Sequence, residues 1–234
     1  MKNMVKFLLT FFVAIVIIFI NGVSAMAINT GFNTSDLSDE EQSILADRIN
    51  ISVVNEEFLM KSIQSFDVNS KGEIVIGHSG INATKAISVY DCNGNFQYGY
   101  RFNCSGLFGV EWSGDLINIY LVRSNALLTI DKDANIVCIQ SIENSIENND
   151  YINNYIFATD KYVADEKYTI RNNSGLLNFI ESSYSQLVRT SLEGEEFVLY
   201  DVTGLHTIKL LVSLFGVVAF IVLVIYTLYK KQLK

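Results

Sequence analysis

The sequence predicts a mainly β fold of about three four-stranded antiparallel meanders, followed by a C-terminal transmembrane helix. The meanders are indicated by a repeat: ISVYDCNGNFQYGY begins at Ile87 and LLTIDKDANIVCIQ begins at Leu127, forty residues later. Each stretch is an apolar run that ends in Asp, a short polar turn and a second apolar run, which is typical of a β-hairpin. The helix is indicated by twenty uncharged residues from Leu210 to Tyr229, a length that suits a membrane span.

The first 27 residues have the pattern of a secretory signal peptide. Lys2 and Lys6 precede an uncharged run from Phe7 to Ile20, and small residues follow up to Ala27, so residues 1–27 are expected to be removed. The alternative is an uncleaved membrane helix. Fourteen residues rise only about 21 Å, which is short for a hydrocarbon core of about 30 Å.

Residues 28–57 are polar and acidic, and they are predicted to form a linker that contains one short helix. Ser38 and Glu41 have the spacing of a capping box, in which each residue bonds the backbone of the other. The helix is therefore expected to run from Asp39 to Ile49.

Residues 58–205 are predicted to form the extracytoplasmic β-repeat domain. Apolar and polar residues alternate from Phe58 onward, and polar turns interrupt the alternation at regular intervals. The predicted hairpin turns lie at residues 69–72, 92–95, 113–115, 132–134 and 193–194. The last belongs to a third, less regular copy of the repeat.

Four-stranded meanders that recur about every forty residues resemble the blades of β-propeller proteins. The resemblance covers roughly residues 58–202, and it lies in the strand-turn-strand order rather than in a Trp-Asp or kelch motif, which the sequence lacks. Since a closed ring usually needs at least four blades, three copies imply an open arc or a ring completed by a second chain. A β-sandwich of hairpins is the alternative fold.

The expected topology is that of a single-pass membrane protein with its domain outside the cell. Residues 28–205 hold all 25 acidic residues but only eleven of the 17 basic ones, a balance of −14. Lysines flank the two apolar ends, and residues 230–234 would form a short cytoplasmic tail. The absence of proline and the abundance of Asn and Ile indicate a bacterial protein.

No catalytic, cofactor-binding or metal-binding residue is predicted. His78 and His206 are expected to be structural, because neither belongs to a recognisable catalytic motif. Asp131, Asp133 and Asn135 have the spacing of the start of a calcium loop. The sixth and twelfth positions are isoleucines, so a tight turn is the preferred interpretation.

These observations predict a membrane-anchored recognition or scaffold protein without catalytic activity. Its partner would be another protein or a surface ligand, or a second copy in a homodimer, and its acidic surface argues against nucleic acid. One alternative is a propeller-type surface enzyme that acts on carbohydrate with carboxylates near a central axis: Asp67, Asp91, Glu111 and Asp131. Another is an accessory subunit of a larger membrane complex.

Overall fold

The computed structural model describes residues 30–58, 61–78, 83–173, 175 and 184–232. Within these residues the chain folds mainly as β-strands that form three antiparallel sheets, which confirms the predicted mainly β class and its hairpin meanders. The β-sandwich alternative would have two packed sheets rather than three. The expected signal peptide, residues 1–27, lies outside the described residues.

The N-terminal segment contains two short strands, β1 (Thr34–Asp36) and β2 (Ser52–Val54), on either side of helix α1 (Asp39–Ile49). The helix begins and ends where the sequence predicts. Ser38 Oγ accepts a hydrogen bond from the Glu41 N–H, and the Glu41 carboxylate accepts one from the Ser38 N–H. The sequence did not predict either strand.

The first sheet is a meander of β3 (Ile63–Val68), β4 (Ile74–His78), β5 (Thr84–Tyr90) and β6 (Phe96–Asn103). The second contains β7 (Phe108–Ser113), β8 (Leu116–Leu121), β9 (Ala126–Ile130) and β10 (Ile136–Ile142), with a single 3₁₀ turn (Val122–Ser124) before β9. Each meander is extended at its last strand by one strand of the N-terminal segment: β2 pairs with β6, and β1 pairs with β10. Both sheets therefore have five strands.

The third sheet follows an insertion made of helix α2 (Ile146–Tyr151) and a π-helical turn (Ile152–Ile156). Its strands are β11 (Asp160–Val163), β12 (Glu166–Arg171), β13 (Gln186–Thr190) and β14 (Glu196–Asp201). This sheet has four strands, and within the described residues nothing pairs with the outer edge of β14.

The same five-residue turn leads into the last strand of all three meanders. Its first residue is Asp91, Asp131 or Ser191, and the N–H of that residue donates to the carbonyl oxygen four positions on. In the two aspartate turns, Oδ1 accepts two backbone N–H bonds and Oδ2 accepts the side-chain amide of Asn95 or Asn135. The repeat in the sequence is therefore a repeated turn whose side-chain acceptor fixes the hairpin.

The first sheet lies between the other two. Val75 belongs to a core cluster with side chains of the second sheet, such as Val110. Its neighbours Ile74 and Ile76 belong to a cluster with side chains of the third sheet. Since successive residues of a strand point to opposite faces, β4 contributes to both cores. On the far face of the second sheet, Ile156 of the π-helical turn joins a third cluster.

Helix α3 (Thr203–Gln232) follows β14 directly. No helix among the described residues is both long enough and apolar enough to cross a membrane, so the prediction of a transmembrane helix from Leu210 to Tyr229 is corrected.

Candidate functional site

The first strand of each meander carries one buried charged residue. Asp67 lies in β3, Glu111 in β7 and Lys161 in β11, and their exposed fractions are 2%, 2% and 5%. Together with Tyr151 and Tyr155 of the insertion, these side chains form what we call the polar centre. Buried charges are rare unless they are paired and hydrogen-bonded, so the bonds of each group decide what the polar centre can do.

Asp67 connects the three sheets. Its Oδ1 atom accepts a hydrogen bond of 2.9 Å from Lys161 Nζ of the third sheet. Its Oδ2 atom accepts one of 2.7 Å from the backbone N–H of Trp112 in the second sheet. Both oxygen atoms of this first-sheet carboxylate are thus held by donors from the other two sheets.

Glu111 is held by three donors. Oε1 accepts from Thr30 Oγ1 at 2.6 Å and from Asn118 Nδ2 at 2.9 Å, and Oε2 accepts from the Tyr151 hydroxyl at 2.6 Å. Burial raises the pKa of Glu111 above its ordinary value, while these three bonds act in the opposite direction. The Thr30 bond also ties the start of the described chain to the polar centre.

Tyr151 and Tyr155 fill the space beside the two carboxylates. Their rings stack with centroids 4.9 Å apart and an angle of 13° between the ring planes. Lys161 Nζ lies 4.1 Å from the centroid of the Tyr155 ring, a distance at which a cation is attracted to the ring face. Burial and the nearby carboxylates raise the pKa of Tyr155 to about 12, so the hydroxyl stays protonated at neutral pH.

The four carboxylates of the carbohydrate-enzyme alternative do not share one site. Asp67 and Glu111 belong to the polar centre, whereas Asp91 and Asp131 begin the repeated turns. Hydrogen bonds from Asn95 hold the pKa of Asp91 below its usual range, and Asn135 has the same effect on Asp131. A general acid or base must come within hydrogen-bond reach of its substrate, and the bonds of Asp67 and Glu111 are already made inside the protein.

The other residues singled out from the sequence have structural surroundings. His78 is buried, and its Nε2 atom lies 2.8 Å from Ser88 Oγ, in agreement with a structural histidine; the side chain of His206 lies outside the described residues. The Asp131 carboxylate bonds its own turn, as the turn interpretation predicts. Cys92, Cys104 and Cys138 are all free thiols.

The sequence analysis missed Lys161, Tyr151 and Tyr155. A signal for the tyrosines was present, because residues four apart share a helix face and both lie in the stretch NDYINNYI. Lys161 had a weaker signal, as the one basic residue in the short strand DKYV. The three charged side chains of the polar centre are buried and internally bonded at a junction of the three sheets, whereas the Tyr155 side chain beside them is 40% exposed.

Comparison with known proteins adds no relative to this description. No protein-family model matches the chain, and no match is found among curated proteins or among solved structures.

Proposed function

We propose that this protein is a recognition protein that works outside the cytoplasm and binds an extended segment of a protein partner at the outer edge of β14. In this proposal the domain is an open, propeller-like arc of three sheets around the polar centre. The arc is supported by the three repeated meanders, and the location is supported by the signal-peptide pattern of residues 1–27.

The proposal rests on a difference between three equivalent strands in the pairing of their outer edges. The strands β6, β10 and β14 each follow the same turn and each end a meander. An added strand pairs with the later half of β6, at Gly99–Arg101, and of β10, at Gln140–Ile142. None of the described residues adds a strand to β14, although the 91–95 turn contacts its backbone at Leu199. Unpaired edges are ready acceptors for a strand from another chain.

The backbone of β14 presents unused hydrogen-bonding groups at this edge. Ser191 N–H bonds the Glu195 carbonyl, and the register then pairs Thr190 with Glu196 and Val188 with Val198. Because bonded and non-bonded pairs alternate in an antiparallel ladder, the amides of Glu196 and Val198 point away from β13. A strand added antiparallel to β14 would meet these two amides.

The side chains of β14 also favour a partner. Phe197 and Val198 are 42% and 51% exposed, although edge strands that must avoid pairing usually carry charges or proline. Apolar side chains on a free edge would bury additional area when a strand is added. Backbone bonds would supply part of the affinity, and the two side chains would supply part of the specificity.

A photo-crosslinking amino acid at position 198 tests this proposal in the full chain, expressed in its cell of origin. Position 101 is the control, because Arg101 is exposed and lies in β6 opposite Ser52 of β2, which occupies the outer edge there. We expect a product of one defined mass from position 198 and none from position 101. The additional change Glu196→Pro, which removes an outward amide, should abolish the product.

Two outcomes would contradict the proposal. Equal crosslinking from both positions would mean that the β14 edge has no special role, and a product of twice the chain mass would make a second copy the added strand. Hydrogen exchange of the unchanged protein checks the edge without a variant. The amides of Glu196 and Val198 should exchange faster than those of β6 and should slow when the crosslinked partner is supplied.

A further inference from the structure

A groove lies between helix α1, the loop that joins β6 to β7, and the 3₁₀ turn before β9. Its volume is about 420 Å³, and its polar lining consists of Arg48, Asn103, Ser105, Arg123 and Ser124. Cavities of roughly 300–1,000 Å³ are typical binding sites for small molecules. None of its elements belongs to the β14 edge, so the inference below is independent of the proposed function.

The two arginines of this groove are unusual in their lack of partners. Five basic residues of the domain pair with a carboxylate: Lys71, Lys161, Lys167, Arg171 and Arg189. Three more lie over an aromatic ring: Lys61, Arg101 and Lys132. Within the described part of the chain, Arg48 and Arg123 have neither an acidic partner nor a ring.

This lack of partners is unexpected for the composition. The chain has 25 acidic residues and 17 basic ones, so an acidic side chain would be the commonest charged neighbour of any arginine. Arg48 and Arg123 lack an acidic partner and lie in the same groove. The local charge there is therefore positive, although the chain as a whole is acidic. Burial raises the pKa of the Cys104 thiol in the groove wall above its ordinary value, and the charge of Lys85 acts in the opposite direction.

One carboxylate lies close enough to compete, and it is already engaged. Among the described residues that line this groove and the one adjoining it, Glu41 is the acidic one. Its Oε2 atom accepts hydrogen bonds of 3.1 Å from the Ser38 N–H and 2.7 Å from Ser38 Oγ in the capping box of α1. Glu41 keeps its charge, but its carboxylate is held by the capping box and forms no ion pair with Arg48 or Arg123.

The remaining lining indicates the kind of anion. The apolar lining of the groove is Leu45, which is half-buried, together with Ile49 and Leu121, which are only 1% and 3% exposed. A planar guanidinium binds a carboxylate through two parallel hydrogen bonds, while apolar walls favour a ligand with a carbon skeleton. We infer that this groove is a binding site for a small organic carboxylate, with Arg48 and Arg123 as the residues that bind the carboxylate.

Cys104 allows the site to be tested without knowledge of the natural ligand, because its thiol is half-buried in the groove wall. The full chain is alkylated at low salt with iodoacetate, a small carboxylate, or with iodoacetamide, its neutral analogue. In both reactions the thiolate displaces iodide, and peptide mass spectrometry follows each cysteine separately. Because the ratio of the two rates is taken at each cysteine, differences in reactivity between the thiols cancel. Cys92 and Cys138 serve as internal controls.

We expect the iodoacetate-to-iodoacetamide rate ratio to be roughly tenfold higher at Cys104 than at the other two cysteines. The two guanidinium charges of the groove attract the anionic reagent, and added salt should reduce this attraction. The double variant Arg48→Gln/Arg123→Gln should lower the ratio to that of Cys92. The control Lys71→Gln/Lys132→Gln, which removes the same charge elsewhere, should leave it unchanged.

A second measurement needs no variant. Hexanoate should slow the reaction of Cys104 with iodoacetamide, whereas hexanamide at the same concentration should not, and Cys92 and Cys138 should react at the same rate with either. Equal rate ratios at the three cysteines, or equal protection by hexanoate and hexanamide, would overturn the inference. Neither result would bear on the edge of β14.

Discussion

Lys161 Nζ lies 2.9 Å from Asp67 Oδ1, and the two side chains are only 5% and 3% exposed. This ion pair joins the first strand of the first sheet to the first strand of the third. The second oxygen of the same carboxylate accepts the backbone N–H of Trp112 in the second sheet. One carboxylate of the first sheet thus bonds both of the other sheets.

Replacement of one member of this pair should be severely destabilising. Lys161→Met leaves the Asp67 carboxylate buried without its cation, and such a loss costs about 3–5 kcal/mol of the free energy of unfolding. Urea denaturation of the full chain measures the loss. Lys71→Met is the matched control, since its pair with Asp115 is 64% and 85% exposed and solvent already screens it.

The double variant Asp67→Leu/Lys161→Met separates the pair from the packing around it. It removes both charges but leaves the Trp112 N–H without its acceptor, so it should recover part of the stability that Lys161→Met loses. A Lys161→Met protein as stable as Lys71→Met would contradict the central role of the pair.

Loss of the Tyr151 hydroxyl should lower the free energy of unfolding nearly as much as loss of a buried charge. Tyr151→Phe removes the 2.6 Å bond to Glu111 Oε2 and leaves that buried oxygen short of a donor, at a cost of about 1–3 kcal/mol. Thermal or urea unfolding measures the difference. Tyr162→Phe, at a tyrosine that is 72% exposed, should produce no measurable loss, and equal effects of the two changes would refute the prediction.

His78 should make the fold sensitive to mild acid. Burial lowers the pKa of His78 from its ordinary value of 6.5 to about 3, so between these values the unfolded chain binds a proton that the folded chain does not. The stability from this histidine is fully present above about pH 6.5 and is lost as the pH falls toward 3. The free energy of unfolding should decrease by about 1 kcal/mol per pH unit between about pH 6 and 5.

Urea denaturation at several pH values, in the native chain and in His78→Gln, measures this slope. Glutamine can still bond Ser88 Oγ but does not titrate, so the variant should have a much flatter profile. An unchanged slope would assign the acid sensitivity to other groups.

At the fourth position of the repeated turns, replacing alanine by glycine and replacing glycine by alanine should have opposite effects on stability. Ala134 has φ of 65°, while Gly94 and Gly194 have φ of 82° and 83° at the matching positions of their turns. Left-handed backbone disfavours alanine, so Ala134→Gly should stabilise the protein by about 0.5 kcal/mol and Gly194→Ala should destabilise it by about 0.5–1 kcal/mol.

Gly94→Ala should be worse than Gly194→Ala. An added Cβ at Gly94 would lie 2.6 Å from the backbone oxygen of Leu199, whereas nothing lies within 4 Å of one at Gly194. Melting temperatures of the three variants test the order. If Gly94→Ala proved as mild as Gly194→Ala, the close contact between the 91–95 turn and β14 would be wrong.

The parts of this structure that the sequence predicted are local. The turns at Asp91 and Asp131 are set by a side chain that bonds its own backbone, and the α1 cap is set by Ser38 and Glu41. Such bonds involve residues within four positions, so their pattern is visible without knowledge of the fold.

The parts that were missed depend on contacts between distant residues. The strands β1 and β2 have three residues each, too few to show an alternating pattern. Lys161 and Asp67 are 94 positions apart, and nothing near either residue indicates the other. Asp67 and Glu111 both lie in the polar centre, but their bonds to Lys161 and Tyr151 give them an architectural role instead of the reaction chemistry considered for them.

The pairing of β1 with β10 has a consequence for the order in which the protein is made. Asp36 and Gln140, which meet in this pairing, are 104 positions apart, so β1 leaves the ribosome long before its partner exists. Closure of so long a loop is slow and brings no benefit until β10 has already joined its meander. The earliest part of the domain to be synthesised is therefore among the last to be placed, and until then the outer edge of β10 is as open to other chains as that of β14.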